Sequence, residues 1–502
     1  MRRISATDAV FLDLETPNGP MIIGGLFILD PSTAPNSFVR HRDILEYVES
    51  RLHLAPNLRR KLVYHPLGLD EPRLIDDPDF DLEFHVRHVA LPKPRDWRQL
   101  KIMAARLVSR PMDLHRPLWE MYIIEGLEEL EGIPADAFAM LFMMHHATFD
   151  GKAGGAALWA FMQDTPEYQP VPPDNRWVAD RKPDFFGWTV SSIQEGIGQL
   201  IANVAAMPRL GHNIVSGMAA GEARSIGDLD DLTAPATRFQ HKITSHRVWD
   251  YVRFRMEDVQ AIRNALGKPK MNDLLVTLIG GAMRRYLSRH GELPDKSLLA
   301  LCPISVRGGG DPAAGGNFVS GMRVALGTNV QDPIARLSVV ADSSRKGKAQ
   351  AEAVGGDFFG SLMAMTPYPV RSRLTRGAVG LVSRMDRFTS TINTTISNVP
   401  NPPGGHYFTG AKVVNYAGFG PLVEGSGLFH TITGMDFEVT ISITSCRELM
   451  PDIAFYCSCL VDSFDELRIA SARPKETENS GVQINASAPR ARRRRSVPEN
   501  LN

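Results

Sequence analysis

A run of eight apolar residues, Ala137–Met144, constrains the fold of this chain more than any other segment. A continuous apolar run of this length is typical of a strand that is buried on both faces. The run ends at His145 and His146, and the turn that follows contains Asp150 and Gly151 before an apolar helical pattern begins. The sequence therefore predicts a buried strand that delivers two histidines to one end of a sheet.

Strand and helix patterns alternate along most of the chain, which is typical of layered α/β folds. The predicted strands are Met21–Leu29, Phe84–Leu91, Trp119–Ile124, Phe138–Met144, Arg247–Arg255, Leu298–Val306, Phe318–Leu326, Ile392–Val399, Phe437–Cys446 and Ile453–Val461. The predicted helices are Arg42–Leu54, Trp97–Leu107, Phe185–Met207, Met256–Leu266 and Asn272–Arg289, the last with Asn272 as its N-cap.

Changes in composition divide the chain into two predicted domains. A proline-rich polar stretch begins at Asp164, and a second strand–helix unit begins near His246. After Ala472 the sequence becomes polar and biased, as in chains that do not form a packed core. We predict a first domain at 1–163, a linker with an amphipathic helix at 164–238, a second domain at 239–471 and a disordered arginine-rich tail at 472–502.

The charge and cysteine content exclude several classes of protein. Lysine plus arginine and aspartate plus glutamate both total 56, so the chain lacks the overall basic bias of nucleic-acid-binding proteins. Residues 490–502 hold five arginines, which gives a basic tail on a mildly acidic body. The four cysteines are too few for a disulfide framework. Cys457 and Cys459 would share one face of a predicted strand, but no second Cys/His pair has a familiar metal-ligand spacing, so we predict no metal site.

No apolar stretch approaches the ~20 residues that a transmembrane helix needs, and the N-terminus lacks the apolar segment of a signal peptide. We therefore expect a cytoplasmic protein. The predicted helix Phe185–Met207 has two interpretations: its apolar stripe packs between the domains, or it lies on a membrane or lipid-droplet surface. The stripe consists of Ile193, Ile197, Leu200, Ile201 and Val204. The arginine tail is either solvated or attracted to anionic lipid.

The two histidines at the strand end also have two interpretations. Successive residues of a strand face opposite sides, so only one histidine can face a given cleft. Histidine has an unperturbed pKa of about 6.5 and suits proton removal near neutral pH. Asp150 could then fix an imidazole tautomer or brace the turn through an arginine. In the alternative interpretation, the pair only completes the packing of a strand end.

The segment His145–Gly151 matches the HHxxxDG motif, and through it the chain resembles the CoA-dependent acyltransferases, which include chloramphenicol acetyltransferase and the condensation domains of peptide synthetases. Further segments narrow the resemblance to the bacterial wax ester synthase/diacylglycerol acyltransferase family. These segments are Ser5–Leu12, Glu15–Pro17, Pro111–Glu120, Asn272-Asp273, Pro303–Arg307, Gly316-Asn317, Ser397–Pro400 and Cys446–Asp452. The resemblance extends roughly from Ile4 to Leu467, and the departures at Met112 and Asn401 lie outside the expected chemistry.

The resemblance implies a chloramphenicol acetyltransferase-like α/β fold: two similar domains of mixed sheets with flanking helices and a central tunnel. It implies that His146 is the general base, which takes the proton from the acceptor hydroxyl as this oxygen attacks the acyl thioester. His145 and Asp150 complete the expected catalytic motif, with His145 in a structural role. No acyl-enzyme is expected.

The remaining site residues follow from the same resemblance. The candidates for oxyanion or substrate contacts are Asn272, Ser397 and Asn398, each of which could equally be a cap or turn residue. Asp150 is expected to pair with Arg307 or Arg323, and Gly151 to permit the turn. The expected lining of the acyl tunnel is Pro117, Leu118 and Trp119, which could alternatively be a strand start with a core aromatic.

The function implied is an O-acyltransferase that moves a long-chain acyl group from acyl-CoA to diacylglycerol, to a fatty alcohol or to both. Acyl-CoA is then a substrate, and no cofactor is expected. Two alternatives stay open. One is an acyltransferase of the same superfamily with another lipid or polyketide alcohol as acceptor. The other is a non-catalytic homologue that binds acyl-CoA or lipid.

Overall fold

The computed structural model contains two six-stranded sheets and a small three-stranded sheet. It describes residues 2–149, 157–167, 171, 179, 184–198, 233–305, 319–353, 363, 365–386, 388, 390–399, 404 and 406–473. Asp150, Gly151, Arg307, the 307–316 loop and the tail from residue 474 lie outside these residues, as do Leu200, Ile201 and Val204 of the predicted linker helix.

The described strands are β1 (Arg2–Arg3), β2 (Ile22–Asp30), β3 (Arg60–Val63), β4 (Arg73–Asp76), β5 (Val86–Ala90), β6 (Trp119–Glu125), β7 (Phe138–His145), β8 (Arg247–Arg255), β9 (Leu299–Ser305), β10 (Val319–Ala325), β11 (Thr394–Val399), β12 (Tyr407–Phe408), β13 (Ala411–Phe419), β14 (Leu428–Gly434) and β15 (Glu438–Cys446). The longer described helices are α1 (Ala6–Leu14), α2 (His41–Arg51), α3 (Leu82–His85), α4 (Trp97–Val108), α5 (Met256–Ala265), α6 (Met271–Arg289), α7 (Pro333–Ala353), α8 (Tyr368–Val382) and α9 (Ile453–Ser471). Residues 185–198 are also helical and are called the linker helix below.

Both large sheets are mixed. The first has the strand order β12-β13-β2-β7-β6-β5, in which only β5 and β6 are parallel neighbours. The second has the order β10-β9-β11-β14-β15-β8, in which β11 runs parallel to both β9 and β14. This arrangement confirms the predicted α/β class with mixed sheets.

Strand β7 lies inside the first sheet, between β2 and β6. All eight of its residues are buried. Phe142 and Met144 face the same core as Trp119, whereas Leu141 and Met143 belong to the core on the other face. The apolar run in the sequence is continuous because this strand needs apolar side chains on both faces.

The two large sheets meet at β13. Although β13 comes late in the chain, it pairs with β2 and so completes the first sheet. Trp249 of β8 donates a hydrogen bond from Nε1 to the carbonyl of Gly418, at 3.0 Å. A Cβ atom at Gly418 would lie 2.7 Å from Cγ2 of Thr431 in β14, so the close approach of the sheets requires glycine here. The domain boundaries stay a prediction. The first sheet includes two strands, β12 and β13, from the later part of the chain.

We expect Gly418→Ala to lower the free energy of unfolding by about 1–3 kcal/mol, because the added methyl group overpacks the contact between the sheets. Urea denaturation would measure the change. Gly434→Ala is the matched control, since a Cβ atom there meets no other atom within 4 Å. Equal stabilities of the two variants would contradict the proposed need for glycine at Gly418.

Several local predictions are wrong. Residues 453–461 begin the helix α9 and are not a strand, since the buried side chains of Tyr456, Leu460 and Leu467 recur at helical spacing. Cys459 is buried and Cys457 half-buried on this helix. The four residues Leu82–His85 are helical, so β5 starts only at Val86.

The N-cap predicted for α6 is also wrong. This helix begins at Met271 after Lys270, which places Asn272 in the first turn. The helices α7 and α8 and the strands β13 and β14 were not predicted from the sequence. Within the described part of the chain, no helix is both long and apolar enough to cross a membrane.

Candidate active site

The end of β7 is held in place from both sides. The backbone N–H of His145 donates to the carbonyl of Leu118, at 3.0 Å. The backbone N–H of His146 donates to the carbonyl of Met21, at 2.8 Å. The position of the histidine pair is therefore fixed by the segments at the starts of β6 and β2.

His145 is a buried, structural histidine. Its Nδ1 accepts a hydrogen bond from the backbone N–H of Ala147, at 3.1 Å. Because Nδ1 accepts, the proton of the neutral ring lies on Nε2. This atom lies 3.5 Å from Oε2 of Glu15, and the two side chains are 0% and 13% exposed. The Glu15 carboxylate thus faces the polar N–H of a ring that is otherwise enclosed.

The turn after the strand is also well anchored. The N–H groups of Thr148 and Phe149 both donate to the carbonyl of His145, at 3.2 Å. The side-chain amide of Asn57 donates to the carbonyl of Thr148, at 3.0 Å. Phe149 is buried in the core that contains Trp119. The next motif residue, Asp150, lies outside the described residues. Its pairing with Arg307 or Arg323 therefore stays a prediction.

His146 lies in the turn and is half-buried. Its ring stacks on Phe11 of α1, with the centroids 3.8 Å apart and an angle of 21° between the planes. The helix α1 is fixed at its start by Ser5, whose side chain accepts a hydrogen bond from the N–H of Asp8 at 3.0 Å. The stacked neighbour orients the imidazole of His146, which stays partly exposed.

Trp119 packs directly behind the histidine strand, where it pairs in register with Met144. It is completely buried, and its Nε1 donates to the carbonyl of Leu58 at 2.7 Å. His85 stacks on its ring with the centroids 4.8 Å apart, and burial lowers the pKa of His85 to about 4. Trp119 is therefore a core residue that supports the site. The predicted contact of the Pro117–Trp119 segment with the acyl chain is untested.

Two of the predicted oxyanion candidates lie together in the structure. The amide Nδ2 of Asn398 donates to Oδ1 of Asn272, at 3.3 Å. Ser397 precedes Asn398 on β11 and is half-buried. Arg323 lies on the edge strand β10 with an exposed side chain. The first turn of α6 and the end of β11 thus form one polar corner of the second sheet.

A series of contacts connects β11 to the first sheet. On β2, which neighbours β7, Gly24 pairs with Phe419 of β13. The next residue, Gly420, lies against the ring of Phe429, and Phe429 pairs with Thr395 of β11. The strand that carries Ser397 and Asn398 is therefore joined to the histidine sheet through β13 and β14.

A cavity of about 390 Å³ lies beside Glu15, between the end of α1 and the helix α8. Its charged lining residues are Asp13, Glu15, Lys242, Arg376 and Glu424. Arg376 is paired with Asp13, with its Nε 2.8 Å from Oδ1, and burial raises the pKa of Glu424. Side chains of both signs suit a polar group better than an acyl chain.

Glu15 is the site residue that sequence reasoning missed. It belongs to the opening segment that carries part of the family resemblance, so a signal for its importance was present. Its partner His145 is distant in the chain, and only the fold brings them together. Within the described residues, no group of three or more His, Cys, Asp or Glu side chains could hold a metal ion.

We expect Glu15→Ala to lower the free energy of unfolding by about 1–3 kcal/mol, because the buried Nε2 of His145 loses the carboxylate that lies 3.5 Å from it. Glu15→Gln is the matched control, since its amide keeps a polar group of the same size facing Nε2, and it should remain close to wild type. Chemical denaturation of all three proteins measures the effect. A glutamine variant as unstable as the alanine variant would show that the contact with His145 is unimportant.

Comparison with known proteins identifies the family. Residues 4–275 match the model of the wax ester synthase/diacylglycerol acyltransferase catalytic domain, and residues 315–468 match the model of the WS/DGAT C-terminal domain. The chain belongs to the wax ester synthase/diacylglycerol acyltransferase family. The resemblance found from the sequence motifs is thereby confirmed.

Similar proteins are known from several bacteria. The chain is 30% identical over 496 residues to a Mycobacterium tuberculosis protein provisionally named diacylglycerol O-acyltransferase, covering 95% of this chain and 92% of that one. It is 29% identical over 462 residues to the O-acyltransferase WSD of Acinetobacter baylyi, covering 90% and 93% of the two chains.

Solved structures share the fold. The wax ester synthase/diacylglycerol acyltransferase of Marinobacter aquaeolei VT8 superposes with a TM-score of 0.66 at 23% identity, over 94% of this chain and 100% of that one. The starter condensation domain of rhizomide synthetase RzmA, solved as a mutant with C8-CoA and Leu-SNAC, gives a TM-score of 0.53 at 13% identity, over 94% of both chains. The predicted fold class is confirmed.

Proposed function

We propose that this chain is an O-acyltransferase that moves a long-chain acyl group from acyl-CoA to diacylglycerol, to a long-chain alcohol or to both, with His146 as the general base. The observation that carries the proposal is the half-buried imidazole of His146 on an anchored turn. Membership of the wax ester synthase/diacylglycerol acyltransferase family supports this class of donor and acceptor.

The proposed reaction is a direct transfer. His146 takes the proton of the acceptor hydroxyl while the hydroxyl oxygen attacks the thioester carbonyl of acyl-CoA. The tetrahedral intermediate then collapses, the C–S bond breaks, and the CoA thiolate recovers the proton from the imidazolium of His146. The products are an ester and free CoA, and no acyl group is attached to the protein.

The buried neighbour His145 serves as a positioning residue in this proposal. Its ring and carbonyl hold the turn, and Glu15 faces its Nε2–H. The rigid turn fixes the imidazole of His146 before the substrate arrives, which lowers the cost of orienting it in the transition state.

Asn272 is our candidate for an oxyanion donor. It accepts the hydrogen bond of Asn398 through Oδ1, so its NH₂ group is the part of the amide directed elsewhere. Amide donors that are oriented before the reaction stabilise the developing negative charge of the intermediate. Ser397 is a second candidate on the same corner, and Asp150 would stabilise the motif through Arg307 or Arg323.

The proposed acceptors are poorly soluble in water, and we therefore propose a cytoplasmic enzyme that works at a lipid surface. Acyl-CoA, which is soluble, would reach the site from the aqueous side. No bound cofactor takes part in the proposed reaction, because acyl-CoA itself supplies the activated acyl group.

Offering labelled palmitoyl-CoA with dioleoylglycerol or with hexadecanol tests the proposal. We expect purified protein to form the corresponding ester together with an equal amount of free CoA, and the faster acceptor identifies the preferred substrate. If acyl-CoA binds but neither alcohol is esterified, the assignment to triacylglycerol or wax ester synthesis is wrong.

A further inference from the structure

The linker helix packs against the rest of the protein through its polar side. Ser192 donates to a carboxylate oxygen of Asp70, at 3.4 Å. Glu195 pairs with Arg73 at 3.4 Å and with Arg3 at 3.6 Å. Trp188 is buried, with the guanidinium of Arg73 over its ring. The inward side of this helix is therefore polar apart from one tryptophan.

The outward side of the linker helix is apolar. Phe186 is 77% exposed, and Val190, Ile193 and Ile197 are also exposed. Their spacing of four, three and four residues places them on one stripe of the helix. The stripe predicted from the sequence exists at Ile193 and Ile197, but these two residues face outward and do not pack between domains.

The helix α8 shows the same arrangement, with polar side chains toward the protein and apolar side chains outward. Arg371 forms a buried ion pair with Glu71, at 3.1 Å. Ser372 donates to Asp13 at 2.6 Å, and Arg376 pairs with the same carboxylate at 2.8 Å. The polar contacts of this helix are thus directed toward the protein.

The opposite side of α8 consists of exposed apolar side chains. Leu374 and Leu381 are 66% and 64% exposed, and Val370 and Met385 are also exposed. These positions again follow one stripe, which continues into the turn after the helix. A helix on the surface of a soluble protein ordinarily buries its apolar stripe and exposes its polar side.

Both helices are attached to the same short segment of the first half of the chain. The linker helix binds Asp70 and α8 binds the adjacent Glu71. Arg3 contacts both acidic residues and also Glu195. The two apolar stripes therefore lie on helices that are anchored at neighbouring residues, and together we call them the two-helix apolar surface. It comprises Phe186, Ile193, Ile197, Val370, Leu374 and Leu381.

The charges next to this surface indicate what it binds. Tyr368–Met385 contains four arginines and no aspartate or glutamate, and two of these arginines are paired inward with Glu71 and Asp13. Arg373 and Arg384 are exposed beside the leucines of α8. Apolar side chains flanked by arginine bind the interface of lipid layers that contain anionic head groups. Large exposed apolar patches generally mark interaction surfaces.

We propose that the two-helix apolar surface docks this protein on an anionic lipid layer. The proposal deepens the proposed function and rests on it in one respect, namely that the acceptor is a lipid alcohol. Val379 and Gly380 of α8, and Ser383 directly after this helix, line the cavity that Glu15 also lines. A lipid layer that covers α8 would therefore lie beside this cavity, whose polar lining suits the hydroxyl end of a lipid alcohol.

Flotation of the full-length chain with vesicles tests the docking surface. The vesicles contain phosphatidylcholine alone or mixed with an equal amount of phosphatidylglycerol. We expect the wild type to float with the anionic vesicles. Leu374→Glu/Leu381→Glu and Phe186→Glu/Ile193→Glu should each weaken binding at least about tenfold, since each places two charges in the apolar layer.

The matched control is Ile469→Glu, because Ile469 on α9 is 57% exposed and does not belong to the two-helix apolar surface. This variant should bind vesicles like the wild type. Circular dichroism melting of every variant verifies folding. Equal loss of binding in the control, or no vesicle binding by the wild type, overturns the proposal. A wild-type dimer that dissociates in the double variants without any vesicle binding also overturns it, because the surface would then bind a second copy.

Two acceptors separate this proposal from the proposed function. The double variants should esterify water-soluble hexanol at the wild-type rate but lose activity on diacylglycerol embedded in anionic vesicles. Ester formation from hexanol without vesicle binding by the wild type rejects the docking surface alone. Vesicle binding without ester from either acceptor supports the docking surface and rejects the proposed function.

Discussion

The variant His146→Ala should lose about 100- to 10,000-fold in kcat for ester formation, which is the usual contribution of a positioned general base. Its affinity for acyl-CoA should change little, because the imidazole acts on the acceptor hydroxyl. Initial rates with labelled palmitoyl-CoA and hexadecanol measure kcat, and equilibrium binding of a non-hydrolysable acyl-CoA analogue measures affinity.

A suitable control for His146→Ala is His53→Ala, since His53 is also half-buried but lies outside the site. The control should retain the wild-type rate. A His146→Ala variant with the wild-type kcat would exclude this imidazole as the base. A lower rate caused only by weaker acyl-CoA binding would assign it to substrate binding.

The variant Trp119→Ala should lose about 3–5 kcal/mol of unfolding free energy, as is usual when a buried tryptophan is truncated. Its ring contacts the core behind β7, and Nε1 donates to the Leu58 carbonyl. Removal would leave a cavity next to Met144 and an unsatisfied carbonyl. Chemical denaturation followed by circular dichroism measures the loss.

Trp97→Ala provides the comparison for this prediction. Trp97 is half-buried at the start of α4, and its Nε1 donates to an exposed part of the chain, the carbonyl of Glu131, at 3.1 Å. Its truncation should cost clearly less than that of Trp119. Similar losses at both positions would contradict the role of Trp119 as the central support of the histidine strand.

The sequence predicts the histidine strand well because the physical signal there is local. An apolar run of eight residues is compatible with a strand buried on both faces, and β7 has this environment. The turn after His145 follows from the same segment. The resemblance to the family then predicts His146 as the base, and the structure places its half-buried imidazole on the anchored turn.

Elements that depend on distant partners are harder to predict. Strand β13 joins the first sheet through pairing with β2, and no local pattern reveals which sheet a strand enters. The contact between Glu15 and His145 likewise forms only in the folded chain. Within α9, a short apolar window was mistaken for a strand, because the helical spacing becomes evident only over the full segment Ile453–Ser471.

The linker helix and α8 show a further limit of prediction from local sequence patterns. The stripe of Ile193 and Ile197 is evident in the sequence, but amphipathicity alone does not determine which side faces the protein. The polar partners Asp70 and Glu71 determine this orientation. At Asn272 the local pattern was misleading, since a residue expected to cap a helix instead accepts a hydrogen bond from Asn398.

A single-turnover experiment tests the central claim most directly, namely direct acyl transfer with His146 as the base. Enzyme in excess is mixed with labelled palmitoyl-CoA and an alcohol, and labelled ester, free CoA and protein-bound label are followed over time. We predict that ester and CoA appear together in the wild type and that both are nearly absent in His146→Ala. Label that accumulates on the protein before ester appears, or ester formation at the wild-type rate in the variant, would contradict the mechanism.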